Sequence, residues 1–317
     1  MIPATSVSPF IGDLELPKEN THILLINRVA DTIPCEAARK LMRTEYLSLC
    51  FGSIVADTFF YSPNREIVEI SERLHGKEGE KTNELTFHLL ELAKGYKSDS
   101  LLSMTLGHIS HCVFDMIFHP VIYYLVGNYY DEDPFKRRAA VYRHRLMETR
   151  LDYELNNRFH LHGILRGDET RLHDFLELFA ARFNVGKEEL VKAYRRQVMG
   201  NRCFKSPLTY IFIRILHRLG AKGCGHILPL FYRHLGTDDL QFRQTVSIRD
   251  IIEGHPRREN LNEMLESARK EAINRITAAI VYYDGNVDQA AAMEIIRGES
   301  LDTGREGCPV GMIRYTE

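Results

Sequence analysis

Apolar residues recur along the chain at spacings of three and four, and no series of alternating strands separated by hairpin turns interrupts them. That periodicity predicts an all-α fold. THILLINRVADTIP reads as a helix starting near Thr21, and CEAARKLMRTEYLSLCFGSIVADTFF as a second that ends in a glycine-containing bend at Asp57. Residues 62–81 place Pro63, Gly76 and Gly79 among charges, which predicts a loop with a short helix and puts His75 on an irregular segment. NELTFHLLELAKGY is a compact amphipathic helix carrying His88. The next stretch, SLLSMTLGHISHCVFDMIFHPVIYYLVGNYY, is the most apolar in the chain and is expected to run through the middle of a bundle, with Pro120 ending or kinking it. DEDPFKRRAAVYRHRLMETRLDYELNNRF then opens with Asp133 as a cap and Pro134 at the first helical position, and carries His144 and Glu148.

Beyond about Gly167 the text changes to charged amphipathic helices such as EELVKAYRRQVM and ENLNEMLESARKEAINRITAAIVYY, with linkers expected around Pro207, Gly220 to Gly225 and Gly254 to Pro256. The division this suggests is an N-terminal segment over 1–20, a helical domain over 21–165 and a helical C-terminal region over 166–317 to which the pattern assigns no role. No internal repeat is visible.

Composition narrows the function classes. With 317 residues, 44% hydrophobic and 26% charged, the chain can bury a sizeable core. A formal net charge of −2 provides no global basic field, so nucleic acid is not suggested. Local basic runs remain, at Lys136-Arg137-Arg138, Arg195-Arg196 and Arg257-Arg258; such runs are usually solvated faces but suit anionic lipid headgroups and a peripheral membrane contact. The opening residues lack a basic start followed by an apolar run, so a cytoplasmic chain is expected. Residues 101–126 are interrupted by His108, His111, Asp115 and His119, which argues against a membrane span. The six cysteines are scattered without a CxxC pair and read as reduced packing residues.

Candidate chemistry sits on the most apolar helix. His111, Asp115 and His119 are four apart, so a helix sets them in one stripe, with His108 one turn earlier. One buried histidine is usually a satisfied packing residue. Burying each further imidazole or carboxylate without a partner costs several kcal/mol, so the stripe must be satisfied by its own members or by a cation. Zinc suits neutral imidazole together with carboxylate oxygen, and a carboxylate among histidines can bridge two ions. His144 and Glu148, again four apart and with Asp152 one turn further, form a second pair able to share a metal. His22 and Asp57 gain weight only alongside these.

The ordered set resembles the zinc-dependent phospholipase C family: His22, then Asp57 in FGSIVADTFFY, His75 in RLHGKE, His111 with Asp115, His119 before a proline, and His144 with Glu148. The resemblance covers about residues 21–155. It implies a helical bundle around two or three zinc ions, one held by His75, His111 and Asp115 and another by His119, His144 and Glu148. A third ion would use His22 and Asp115. It further implies that Asp57 orients or deprotonates water, or is itself a ligand.

The resulting expectation is an all-α, multi-helix hydrolase of phosphate esters, with phospholipase C-like cleavage of a phospholipid headgroup favoured and a helical C-terminal extension. Two rivals stand beside it: a nuclease or soluble phosphoesterase on the same metal core, with bases stacking on Tyr123, Tyr124, Tyr129 and Tyr130; and a non-catalytic scaffold with a structural metal. An apolar rim at Phe59, Phe60 and Tyr61 would favour lipid. His160, His162, His173, His217, His226, His234 and His255 show no ligand spacing.

Overall fold

In a computed structural model the described residues are 19–155, 160–165, 169–221, 223–237 and 244–317. Most of the expected N-terminal segment, and the residues just after the expected boundary at 165, lie outside them. The helical reading holds. In chain order come α1 (Glu19–Thr32), α2 (Glu36–Thr44), α3 (Tyr46–Gly52), α4 (Val55–Thr58), α5 (Arg65–Leu74), α6 (Asn83–Tyr96), α7 (Asp99–Val126), α8 (Pro134–Leu155), α9 (Leu161–Ile164), α10 (Glu169–Phe183), α11 (Lys187–Lys205), α12 (Pro207–Arg218) and α13 (Cys224–Ile227). A two-stranded antiparallel hairpin, β1 (Thr245–Arg249) with β2 (Pro256–Asn260), then leads into α14 (Leu261–Tyr283) and α15 (Gln289–Ile295).

The most apolar segment is the axis. α7 packs against α3, α6 and α14, and also meets α1 and α8. By length and hydropathy it qualifies as a bilayer-crossing helix in spite of its polar residues, contrary to the sequence expectation, but 78% of its most apolar window is buried inside the protein. An all-round apolar helix is what the centre of a bundle requires. The closest approach is at Gly52 and Gly107: a Cβ on Gly107 would fall 2.1 Å from the Leu49 carbonyl oxygen, and one on Gly52 1.9 Å from that of Met104. Only glycine lets α3 and α7 touch backbone to backbone.

Several expectations are corrected. The helix predicted over 35–60 is three helices and a 3-10 turn (Phe59–Tyr61): the chain breaks at Glu45, with φ −102° and ψ 39°, and bends again at Ser53 and Ile54 beside the contact of Gly52 with α7. Residues 62–81 do form a short helix within a loop, the ten-residue α5 capped by Asn64 accepting from the Glu66 amide, with His75 just past its end. Pro207 begins α12 behind its cap Ser206 and is no linker. Gly254 and Pro256 belong to the hairpin, whose strands the helical periodicity missed. Pro120 does not end α7, which continues to Val126. Asp133 does cap α8, accepting from the Phe135 amide.

One core cluster runs from Ile23 to Ile296. Phe175 of α10 stacks on Phe51 and Phe179 packs at a tilt against Phe59, while Ala268, Ala272 and Ala279 line α14 where it meets α1 and α7. The region after residue 165 therefore shares its core with the region before it.

Candidate metal centre

Five elements bring their polar side chains to one place. α7 contributes His111, Asp115 and His119, all but buried on the face its four-residue spacing sets. α4 supplies Asp57, completely inaccessible to solvent. His75 is the C-cap of α5, and α1 brings His22. α8 supplies His144 and Glu148.

The groups sort into two sets. Ligand atoms of Asp57, His75, His111 and Asp115 all lie within 4.8 Å of one another, and so do those of His119, His144 and Glu148. His75 Nε2 is 3.2 Å from Asp57 Oδ1 and 3.5 Å from Asp115 Oδ2, and His111 Nε2 is 2.9 Å from Asp115 Oδ2. His144 Nε2 lies 3.1 Å and His119 Nε2 3.8 Å from Glu148 Oε1. Asp115 joins the sets, its Oδ1 lying 3.6 Å from His119 Nε2 and 3.4 Å from His22 Nε2. His22 also approaches Asp57, at 3.8 Å.

Behind the rings sit the groups that aim them. His75 Nδ1 is 2.7 Å from the Ser71 carbonyl oxygen, and His111 Nδ1 is 3.1 Å from that of Ser53, which the Gly52–Gly107 contact brings within reach. A proton on Nδ1 held by a carbonyl leaves Nε2 bare and turned inward. His119 Nδ1 is 3.4 Å from Asp302 Oδ1, and Tyr123 donates to that same oxygen at 3.1 Å. The loop bearing Asp302 also holds the other set: Leu301 N donates to the His75 carbonyl at 2.8 Å. Arg275 of α14 pairs with both oxygens of Glu299 at 3.0 and 2.8 Å and fixes the start of that loop.

Gly304, with φ +68°, seats the turn on α7: a Cβ there would fall 2.7 Å from the Met116 carbonyl oxygen, the one that Pro120 deprives of its helical donor. Asp302 was missed from sequence. It lies on an irregular loop remote in sequence from the other polar residues, with no spacing signal of its own.

Two polar neighbours are excluded. His108 points at Cys112 Sγ, 3.7 Å from its Nε2, and joins neither set. Asp152 accepts from Asn20 and Thr21 at 3.1 and 3.0 Å, pinning the start of α1 and so positioning His22.

Charge is balanced by proximity. Burial pushes the His75 and His119 imidazoles down, but Asp115 with Asp57 around the first, and Asp115, Asp302 and Glu148 around the second, together hold both well above 6.5. Burial drives the Asp115 carboxyl up, and the imidazoles of His111, His119 and His22 together take it well below the usual carboxylate range. Against its own burial, Glu148 is held at about 2 by His144 and His119. Burial wins at His22, lowered to about 4.

Protons do not satisfy the cluster. Both oxygens of Asp57, His111 Nε2 and Asp115 Oδ2 are buried without an aligned hydrogen bond, although His111 Nε2 and Asp115 Oδ2 are only 2.9 Å apart. Two atoms that close yet unaligned lie side by side, aimed at a common point. Orphaned imidazole nitrogens and carboxylate oxygens of this kind are the donor set of zinc.

Residues 21–197, more than half of the chain, match the family described as zinc dependent phospholipase C. The chain belongs to the zinc-dependent phospholipase C family. Its cofactor is accordingly zinc, and the two buried sets offer places for two or three ions. The match extends past residue 155, where the legible motifs stop, to Gln197, which accepts from Thr58 and donates to Glu19 beneath the site. No curated protein and no solved structure matches the chain. In this member of the family, Asp302 and the α14 anchor of its loop lie outside the matched residues.

Proposed function

We propose that the chain hydrolyses phosphodiesters, removing the headgroup of a phospholipid, with His75, His111 and Asp115 holding one zinc, His119, His144 and Glu148 another, and Asp57 beside the first as the base. Asp115 is placed to touch both, and His22 with Asp115 offers a third position. The single observation that carries the reading is that two independent i,i+4 pairs, His111 with Asp115 and His144 with Glu148, each fall in a buried ligand set, the two sets being joined where His119 faces both Asp115 and Glu148.

The chemistry that zinc supplies when bound is a Lewis-acid charge that acidifies water and neutralises phosphate oxygens. The chain's own groups do the rest. Asp57, with two oxygens free of protein hydrogen bonds, accepts the proton of the attacking water. Arg145 lines the same small pocket, its Nη1 anchored on the His226 carbonyl at 2.6 Å, and presents a guanidinium to the phosphate. Phe60, Tyr123 and Tyr129 wall the pocket and restrict bulk water.

Of the expected apolar rim, one aromatic reaches the pocket. Phe60 lines the pocket with its ring 5.2 Å from that of His75, whereas Phe59 is core and Tyr61 donates to Glu19. Tyr123 and Tyr129 are 2% and 7% exposed and pack against the His144 ring, so neither offers a face on which a base could stack, whereas the half-buried Tyr130 lines the pocket with Lys77 over its ring and Tyr124 is half-buried.

Zinc-loaded chain incubated with a choline phospholipid should release phosphocholine, lose that activity to a chelator and regain it with added zinc. Cleavage of single-stranded DNA in its place would redirect the reading to a nuclease. Tightly bound zinc with neither activity would leave a structural metal.

A further inference from the structure

The longest acid-free stretch lies outside the metal centre. From Leu190 to Thr237 the chain holds no aspartate or glutamate, but nine basic residues: Lys192, Arg195, Arg196, Arg202, Lys205, Arg214, Arg218, Lys222 and Arg233. The rest of the chain must then be strongly acidic on balance, since the net charge is −2. In the middle of the stretch stands α12, beyond the residues that match the family.

α12 is amphipathic in the wrong sense for a helix covered by its own protein. Tyr210 is its buried anchor, while Leu208, Ile211, Phe212, Ile215 and the following Leu219 are between 50% and 78% exposed. At about 100° per residue those five fall within an arc of about 100°. Arg214 and Arg218 border that arc, are exposed, and form no ion pair among the described residues.

We propose that α12 docks the protein on an anionic phospholipid bilayer, lying in the interface plane with its apolar stripe among the acyl chains and its arginines on the headgroups. Exposed apolar surface of this size, edged by cations and free of carboxylates, has the character of an interfacial helix. Charge complementarity selects an acidic membrane over a zwitterionic one, because each arginine near such a surface adds to the attraction.

The docking face is continuous with the hydrolytic site. A cavity of about 870 Å³ between α12 and α8 is lined by Arg138, Arg214 and Arg218 and by no carboxylate among the described residues. It shares Arg138 and His226 with a cleft of about 480 Å³, and that cleft shares Tyr129 and Tyr130 with the metal pocket. The cleft carries Arg65, Lys77 and Arg137 but also Glu78 and Glu72, the latter paired with Arg65 and Lys77, so the lining is purely basic only beside α12. The docking itself does not require turnover and is testable apart from the hydrolase reading.

Full-length, zinc-loaded chain should co-sediment with vesicles of three parts phosphatidylcholine to one part phosphatidylglycerol, and much less with phosphatidylcholine alone. The pairs Ile211→Ser with Phe212→Ser, and Arg214→Glu with Arg218→Glu, should each lower binding by at least about tenfold. Zinc content, unfolding temperature and hydrolysis of a soluble phosphodiester should stay as in the parent, which separates lost docking from a lost fold or a failed hydrolase assignment. The proposal falls if the parent chain stays in the supernatant, or if both pairs sediment like the parent. It falls equally if light scattering shows a dimer that the Ile211→Ser, Phe212→Ser pair dissociates, since the stripe then covers a second copy.

Discussion

Asp302 stands behind His119, its Oδ1 3.4 Å from the imidazole Nδ1 while Nε2 of the same ring faces Asp115 and Glu148. A carboxylate in that position fixes the ring's orientation and raises its basicity toward a metal, and removing such a partner typically weakens metal binding by about 10–100-fold. Asp302→Ala should therefore weaken one zinc by about that factor and leave the zinc of the His75 and His111 set nearly unchanged. Competition with a chromophoric chelator measures both, and equal weakening of all ions would refute the assignment.

Zinc binding should be steeply pH-dependent. The carboxylates hold His75 and His119 well above 6.5 and also raise His111 against its burial, and zinc requires these rings neutral. Apparent affinity should therefore climb as pH rises through 6 to 8, by up to about tenfold per unit for each proton expelled. In metal-free protein the same raised values mean stabilisation that is complete below pH 6.5 and fades as pH rises through the folded pKa. Calorimetry in two buffers of different ionisation enthalpy reads the proton release, and an affinity flat across that range would contradict the geometry.

His108 makes the opposite prediction for the fold. Burial, aided by the neighbouring His111 and His75, lowers its imidazole to about 3, so the folded state refuses a proton that the unfolded chain accepts at 6.5. Metal-free protein should lose several kcal/mol to this group as pH falls from 6.5 toward 3, since each unit of displacement is worth about 1.4 kcal/mol. His108→Leu removes that contribution. Urea unfolding across this range should show a flatter pH dependence in the variant, and parallel curves would refute the argument.

Gly107→Ala tests how the site is aimed. The added methyl would lie 2.1 Å from the Leu49 carbonyl, a backbone atom that can yield only if α3 moves away from α7. A loss of about 3 kcal/mol in thermal or urea unfolding is expected. The Ser53 carbonyl withdraws in the same movement, so zinc affinity at the His111 set should drop as well. Gly95→Ala, at a helical glycine with nothing near its absent Cβ, serves as the control and should be nearly neutral or slightly stabilising.

What could be read in the sequence was whatever a helix repeats. His111, Asp115 and His119 announce themselves because four residues make about one turn, and His144 with Glu148 does so for the same reason. Asp57 and His75 carry no such spacing; they became visible only through the ordered resemblance, and their closeness to Asp115 depends on how α4 and α5 fold over α7. The glycine-containing bend before Asp57 was legible, but the break at Glu45 was not, because no glycine or proline marks it. The hairpin before α14 escaped because five-residue strands with exposed charges, such as PRREN, lack the apolar alternation that marks a half-buried strand.

The notch that Pro120 leaves in α7 has a consequence for how the molecule is made. The turn at Gly304 fills it and brings Asp302 to His119. A ribosome that has already produced every histidine of the zinc-dependent phospholipase C pattern must still add some hundred and fifty residues before that carboxylate emerges. The half of the centre built on His119, His144 and Glu148 is thus completed late in synthesis, and a nascent chain released before residue 302 would carry the family's ligands without the brace that orients one of them.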